Sequence, residues 1–393
     1  MSVIERPVVD DALWQAIAAG SDSVDRESRF PSEAVDGLAE RGLLALGIPP
    51  EHGGPGGGPA EVAAAVERIA SGCSSTAMVY VMHLIATQTL LAGAAANGAN
   101  QDVLSEIAGG RHLTTLAFSE QATRSHFWAQ ASRAVSDGDD VVVDARKSWV
   151  TSAGFADSYV TATGAPGSAD PLVTELYLIA ADAPGVTVGG PFDGLGLCGN
   201  ASSPVEFAGV RVAHDRRLGG PASGMALMME ATLPWFALGC AACCVGLAGA
   251  AIEMAAAHLS GSRIEHLDTP LSGIAVNRAR LAEAKICHLQ ARALLYQVAG
   301  QLAAGDPEAQ LGVLALKAAA AEMAITVTDQ TMRVCGGAAF SRMLPLERLF
   351  RDARAATVMA PTSDMLRDLL GKALTGQPLF ETPAAAGAQR TGG

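Results

Sequence analysis

The stretch Met332–Asp364, MRVCGGAAFSRMLPLERLFRDARAATVMAPTSD, decides how the rest of the chain is read. Gly336-Gly337 breaks a long apolar, helical-period run and lets the backbone come close to a neighbour. Arg348, Arg351, Asp352 and Arg354 crowd into seven positions, a density expected of an ion-paired helical scaffold. Thr362 and Ser363 follow as N-cap candidates for a last helix.

Upstream of this stretch the pattern is helical. Leu281, Ala284, His288, Ala291, Leu295, Val298 and Leu302 recur three and four apart, a seam for antiparallel packing in a bundle. The segment Ala231–Ile252 carries no charge after Glu230 and before Glu253 and is long enough for a membrane span. Its content of Ala, Gly and Cys and its lack of flanking Lys/Arg favour a buried bundle helix instead.

Between Leu113 and Gly219 the apolar period changes to two. The runs AFSE, ASRAVS, DDVVVDARKSWVTSA, SYVTAT, ELYLIAAD, VTVGG and SPVEFAGVRV, separated by Asp-Gly, Ala-Pro-Gly and Gly-Asn turns, predict a small antiparallel barrel or sandwich. Before it, Ser32–Leu46, Glu61–Ala70 and Met78–Leu91 read as helices around a Gly-rich loop at 49–59. The expected division is an α-helical part at 1–112, a β domain at 113–219, a helical bundle at 220–380 and a disordered tail at 381–393. The class is α+β.

Composition bounds the function. A 393-residue chain with 49% hydrophobic and 17% charged residues has ample material for a core, and its small side chains suit close helix packing. The net charge of −13 and the lack of a basic stripe argue against nucleic acid as partner. An anionic ligand can still be met by local arginines and helix N-termini. Seven cysteines without a paired CxxC metal spacing, most of them in apolar runs, point to reduced, buried thiols and to no metal site. Met1–Asp11 has no apolar run of a signal peptide, so a cytoplasmic location is expected, with no membrane association.

Taken together, the C-terminal stretch and KSWVT at 147–151 resemble the acyl-CoA dehydrogenase family, over roughly residues 10–375. The resemblance implies that family's three-part fold, with a C-terminal four-helix bundle, and FAD at the junction of β domain and bundle. It assigns flavin contacts to Phe118 and Ser119 in AFSE, and to Trp149, Val150 and Thr151 in KSWVT. Trp149 would lie beside the flavin ring and the Thr151 hydroxyl against its N5. It also places Thr362 and Ser363 at the flavin, and assigns the nucleotide half to Arg263, Arg333, Gly336 and Gly337, contributed across subunits of a homotetramer or homodimer. Arg124, Ser125 and His126 replace a Gly-Ser-Asp run at the substrate entrance, where Arg124 and His126 suit an anionic or polar ligand.

The family's catalytic Glu is missing. Ala360 stands at its position, and the alternative position used by some members, on the first long bundle helix, falls near Phe236. Neither side chain accepts a proton. Glu230 and Asp364 are the nearest carboxylates in sequence and are weak candidates for a substitute base. The implied activity is redox chemistry on an acyl thioester carried by coenzyme A or acyl carrier protein, with an acceptor such as an electron-transfer flavoprotein. Flavin-dependent monooxygenation and base-free β-elimination remain open on the same frame.

Overall fold

The structure, a computed structural model, describes residues 8–380. The expectations for the signal-free first residues and for the tail at 381–393 therefore lie wholly or partly outside the described residues.

The N-terminal part consists of α1 (Asp11–Arg26), α2 (Ser32–Glu40), α3 (Pro59–Gly72), α4 (Ser74–Asn97) and α5 (Gln101–Ala108). Asp10 caps α1 by accepting from the Leu13 amide at 2.7 Å. α4 is buried on nearly every side, as a helix without a polar face must be. His83 ties it to the β domain: one ring nitrogen accepts from the Thr114 amide at 3.1 Å and the other lies 3.0 Å from the Leu44 carbonyl. Those two partners fix a neutral ring with Nε2 protonated. Burial pushes its pKa down to about 4.

The β domain holds β1 (Thr114–Ala117), β2 (Arg133–Asp137), β3 (Asp140–Val150), β4 (Ser158–Gly164), β5 (Thr174–Ala180), β6 (Val186–Val188), β7 (Ser203–Val212) and β8 (Arg217–Leu218). Sheet order is β6-β7-β3-β2-β4-β5-β8, with β1 added beside β4. Most neighbours are antiparallel, but β1 and β2 each meet β4 in parallel, so the sheet is mixed and not purely antiparallel as its hairpin-like turns suggested. The parallel pair forms because β1 arrives directly from α5, across the helical layer, and not through a hairpin.

The C-terminal part begins with α6 (Gly224–Leu227), a π turn at Met228–Thr232 and α7 (Leu233–Gly261). A short ribbon of β9 (Arg263–Ile264) and β10 (Thr269–Pro270) precedes α8 (Ala275–Ala304) and α9 (Ala309–Cys335). Four shorter helices finish it: α10 (Gly337–Phe340), α11 (Leu346–Asp352), α12 (Ala355–Val358) and α13 (Ser363–Leu374). α7 packs on α8, α9, α3 and α4, with α13 along α9.

The small residues of α7 make that packing work. A Cβ on Gly246 would sit 2.2 Å from the Glu67 carbonyl oxygen of α3, so only glycine permits the approach. Among the described residues three helices, including the one through Ala231–Ile252, are long and apolar enough to cross a membrane by length and composition, yet most of each apolar window is buried within this chain. The α8 seam buries Ala284, His288, Ala291, Leu295 and Val298, with Leu281 and Leu302 half-buried at its ends. All seven cysteines are free thiols; five are buried and Cys198 and Cys287 are half-buried.

Candidate active site

A cavity of about 1210 Å³ opens where the β domain, α4, α7 and the segment after α11 converge. Its wall includes Phe118, Ser119, Arg124, Ser125, Trp149 and Thr151, together with Ala360 and Thr362. Residues far apart in sequence thus meet at one place.

Local backbone geometry explains how Trp149 reaches it. The β3–β7 register shifts between Lys147 and Val150, and Trp149 adopts φ +59° at that irregularity. A bulge of this kind turns a side chain out of the ladder, at a backbone cost of about 1 kcal/mol or more for a non-glycine residue. Trp149 is left 69% exposed while its neighbours Ser148 and Val150 are buried. Thr151 is buried at the cavity wall, its hydroxyl 3.2 Å from that of Ser202. The Ser148 amide donates to the Ser119 carbonyl at 2.9 Å, which binds the AFSE segment to the end of β3.

Behind this wall lies a charged pair. Lys147 is fully buried and donates to Glu120 Oε1 at 2.6 Å, Gln130 Oε1 at 2.7 Å and the Ala162 carbonyl at 2.6 Å. Glu120 also accepts from the Ala131 amide at 2.7 Å and from the Ser132 hydroxyl. Burial lowers the Lys147 pKa to about 8 against the raising effect of Glu120. Burial also pushes Glu120 up, but the Lys147 charge and the bonds it accepts outweigh that and hold it below the usual carboxylate range. Both groups are ionised at neutral pH, and Glu120 is too tightly held to act as a base.

The arginine cluster splits by role. Arg351 forms a two-pronged pair with Asp25 at 2.6 and 2.9 Å and a third contact to Glu347 at 2.7 Å. Those partners raise its pKa. Arg348 donates to the Ser21 hydroxyl at 3.0 Å, and Asp352 accepts from the Leu197 amide at 2.7 Å. Asp352, with Arg351 donating to the Leu195 carbonyl at 3.1 Å, fixes the loop Phe192–Leu197, which forms part of the cavity wall. Arg354 lies against the Phe350 ring at 4.0 Å and faces no carboxylate among the described residues.

The segment carrying Ala360 is held from behind by Lys317 on α9. Its ammonium donates to the carbonyls of Ala356, Met359 and Pro361 at 3.0, 3.0 and 2.8 Å. Burial lowers its pKa. Thr362 then caps α13, accepting from the Met365 amide at 3.3 Å, while the buried Ser363 hydroxyl has no partner.

Other expected residues lie elsewhere. Val150 is buried in the sheet core and does not reach the cavity. His126 is exposed and set edge-on to Trp128, outside the cavity wall. Arg263 is paired with Asp268 and Arg333 with Asp329, both at the surface, and Gly336 and Gly337 face open space. Gly336 has φ +57° and ψ −134°, a region essentially reserved for glycine. Neither weak base candidate reaches the cavity: Glu230 is exposed on the π turn, and Asp364 is exposed and pairs with Arg367 at 3.2 Å. Sequence distance misled there, because both side chains leave their helices on the outer face. Phe236, Thr232 and Leu233 line the cavity, so both positions considered for a base are present in it and both are apolar or small.

The fit of a flavin follows from this wall. A flat indole is left uncovered in a mostly apolar cavity, with a buried hydroxyl and Ser119 beside it, and the volume accommodates a tricyclic ring as well as an acyl chain.

Comparison with known proteins agrees. Models of the acyl-CoA dehydrogenase N-terminal, middle and C-terminal domains match residues 6–111, 115–210 and 222–375. A probable acyl-CoA dehydrogenase of Bacillus subtilis is 26% identical over 94% of this chain and 96% of its own length. Butyryl-CoA dehydrogenase from Megasphaera elsdenii superposes with a TM-score of 0.87 at 22% identity, covering 95% of this chain and 100% of that one. The prolyl acyl carrier protein oxidase AnaB shares the fold with a TM-score of 0.82 at 19% identity, over 92% and 98%. The chain belongs to the acyl-CoA dehydrogenase family, as an FAD-dependent flavoprotein oxidoreductase.

Proposed function

We propose that this flavoprotein oxidises an acyl thioester, borne by coenzyme A or by an acyl carrier protein, without a carboxylate base of its own. The observation that carries this reading is the pairing of a flavin-compatible wall, Trp149 and Thr151, with Ala360 and Phe236 at the two base positions. When bound, FAD supplies a two-electron acceptor. Trp149, Thr151 and Ser119 would hold it, the indole by stacking and the two hydroxyls by hydrogen bonding. Met82, Leu116, Leu233 and Phe236 exclude water from the acyl chain. Glu120 stays bound to Lys147, so the α-proton passes to a basic group carried by the substrate itself.

A carrier protein is included because the AnaB likeness adds it to the carriers that the family's own domain models suggest. An electron-transfer flavoprotein is the proposed acceptor, and a homotetramer or homodimer the proposed assembly. The absence of a positioned base equally suits hydroxylation by the reduced flavin and oxygen, or elimination of a β-leaving group. The test starts from FAD-reconstituted protein. Anaerobic mixing with a panel of saturated acyl-CoA and acyl-carrier thioesters is expected to bleach the flavin band with at least one of them. Bleaching by none, with oxygen-dependent product formation after chemical reduction, overturns the dehydrogenase reading in favour of monooxygenation.

A further inference from the structure

We propose that Arg124 and Arg354 recognise a carboxylate on the acyl group, so that the substrate is a thioester of a dicarboxylic or similarly anionic acid. The inference rests on the thioester reading above and refines it. Five charged side chains contribute to the cavity wall: Glu120, Asp193, Arg124, Arg351 and Arg354. Lys147 cancels Glu120, and Asp25 with Glu347 saturates Arg351. Asp193 is exposed at the rim. What remains are two guanidinium groups without a carboxylate partner among the described residues, in a protein whose net charge is −13.

Arg354 shows the sign of a site awaiting an anion. Arg354 has one terminal nitrogen, Nη1, buried and without a hydrogen-bond partner. An unsatisfied buried donor of this kind is destabilising, the more so when charged. Arg354 lines the same cavity as Ala360, six residues before it in the chain. Arg124, exposed at φ +53°, contributes the second guanidinium to the lining of the same cavity. A planar fork is the group best matched to a carboxylate, and in an apolar wall its attraction is screened less than in water. Arg263 and Arg333, assigned to the nucleotide half by resemblance, lie outside this cavity and are each paired with a carboxylate.

The experiment is equilibrium binding of succinyl-CoA, butyryl-CoA and free CoA to the FAD-loaded protein, for wild type, R354M, R354K and R124M. Wild type is expected to bind succinyl-CoA at least tenfold more tightly than butyryl-CoA. R354M and R124M are each expected to reduce that ratio several-fold while leaving butyryl-CoA and CoA unchanged, and R354K to restore part of it. Arg124 is exposed, so R124M keeps the test open even where R354M fails to fold. Equal wild-type affinity for the two esters overturns this inference and leaves the thioester reading standing. Equal weakening of CoA and both esters in the variants also overturns it, because the anion read is then the carrier phosphate. Failure of every CoA compound to bind overturns the thioester reading and this inference with it.

Discussion

Trp149 illustrates how much one side chain can be asked to do. Its indole is mostly exposed, so truncation costs the fold little, yet the same ring supplies the widest flat apolar surface in the cavity. Trp149→Ala is therefore expected to weaken FAD binding about tenfold, near 1.4 kcal/mol, with the melting temperature of the cofactor-free protein nearly unchanged. Titration of flavin fluorescence beside a thermal scan checks both halves. At Ala360 the expectation is a gain: Ala360→Glu puts a carboxylate at the cavity wall and should raise exchange of the thioester α-proton with deuterated water by about 100-fold. Mass spectrometry of a recovered thioester measures it. These residues were legible because their motifs lie on continuous stretches, KSWVT and RDAR through TS. Arg354 as a cavity cation was not, because the cluster around it reads as one ion-paired scaffold and only folding shows that Asp25, distant in sequence, chooses Arg351 and leaves Arg354 alone. The role of Lys147 behind the wall was equally hidden, since nothing in KSWVT says that its ammonium meets Glu120 of the preceding motif.

Among the elements, the strands of the β domain and the α8 seam were read closely from period and turns, because a two-residue or three-to-four-residue repeat is local information. The parallel placement of β1 beside β4 was not, since pairing partners depend on where a strand enters the sheet. Lys317 is a second case: a lone Lys in an Ala-rich helix looks like a solvated charge, and instead it gathers three carbonyls of the α12 to α13 connection. The helix C-terminal end of α12 offers outward-pointing carbonyls that a cation can satisfy. Lys317→Met keeps the apolar stem and removes the donor, orphaning those carbonyls. The expected loss is about 3 kcal/mol or more in denaturant unfolding. A loss below about 1 kcal/mol would mean that water replaces the ammonium and that the connection holds itself.

At the level of the whole molecule, acid stability sets two buried groups against each other. His83 joins the N-terminal helices to the sheet, and its pKa falls from an unfolded value near 6.5 to about 4, chiefly through burial. The stability it contributes is complete above pH 6.5 and is lost as pH falls toward 4. Asp352 joins α11 to the Phe192–Leu197 loop, and burial raises its pKa from 3.8 to about 6. Its ionisation costs stability as pH rises through that window, so acidification relieves the cost. Each group shifts by a little over two pH units, about 3 kcal/mol at 1.36 kcal/mol per unit, and the signs are opposite. The two effects largely offset one another between pH 4 and 6. Asp352→Asn keeps an oxygen for the Leu197 amide and removes the Asp352 titration, so the loss of stability from His83 on acidification is no longer offset by it. Between pH 6.5 and 4 the variant is expected to lose about 3 kcal/mol more than wild type, measured by urea unfolding at half-unit steps. Parallel curves for the two proteins would show that Asp352 ionises as freely in the folded chain as in the unfolded one, and that the ion-paired arginines around it, not burial, govern its charge.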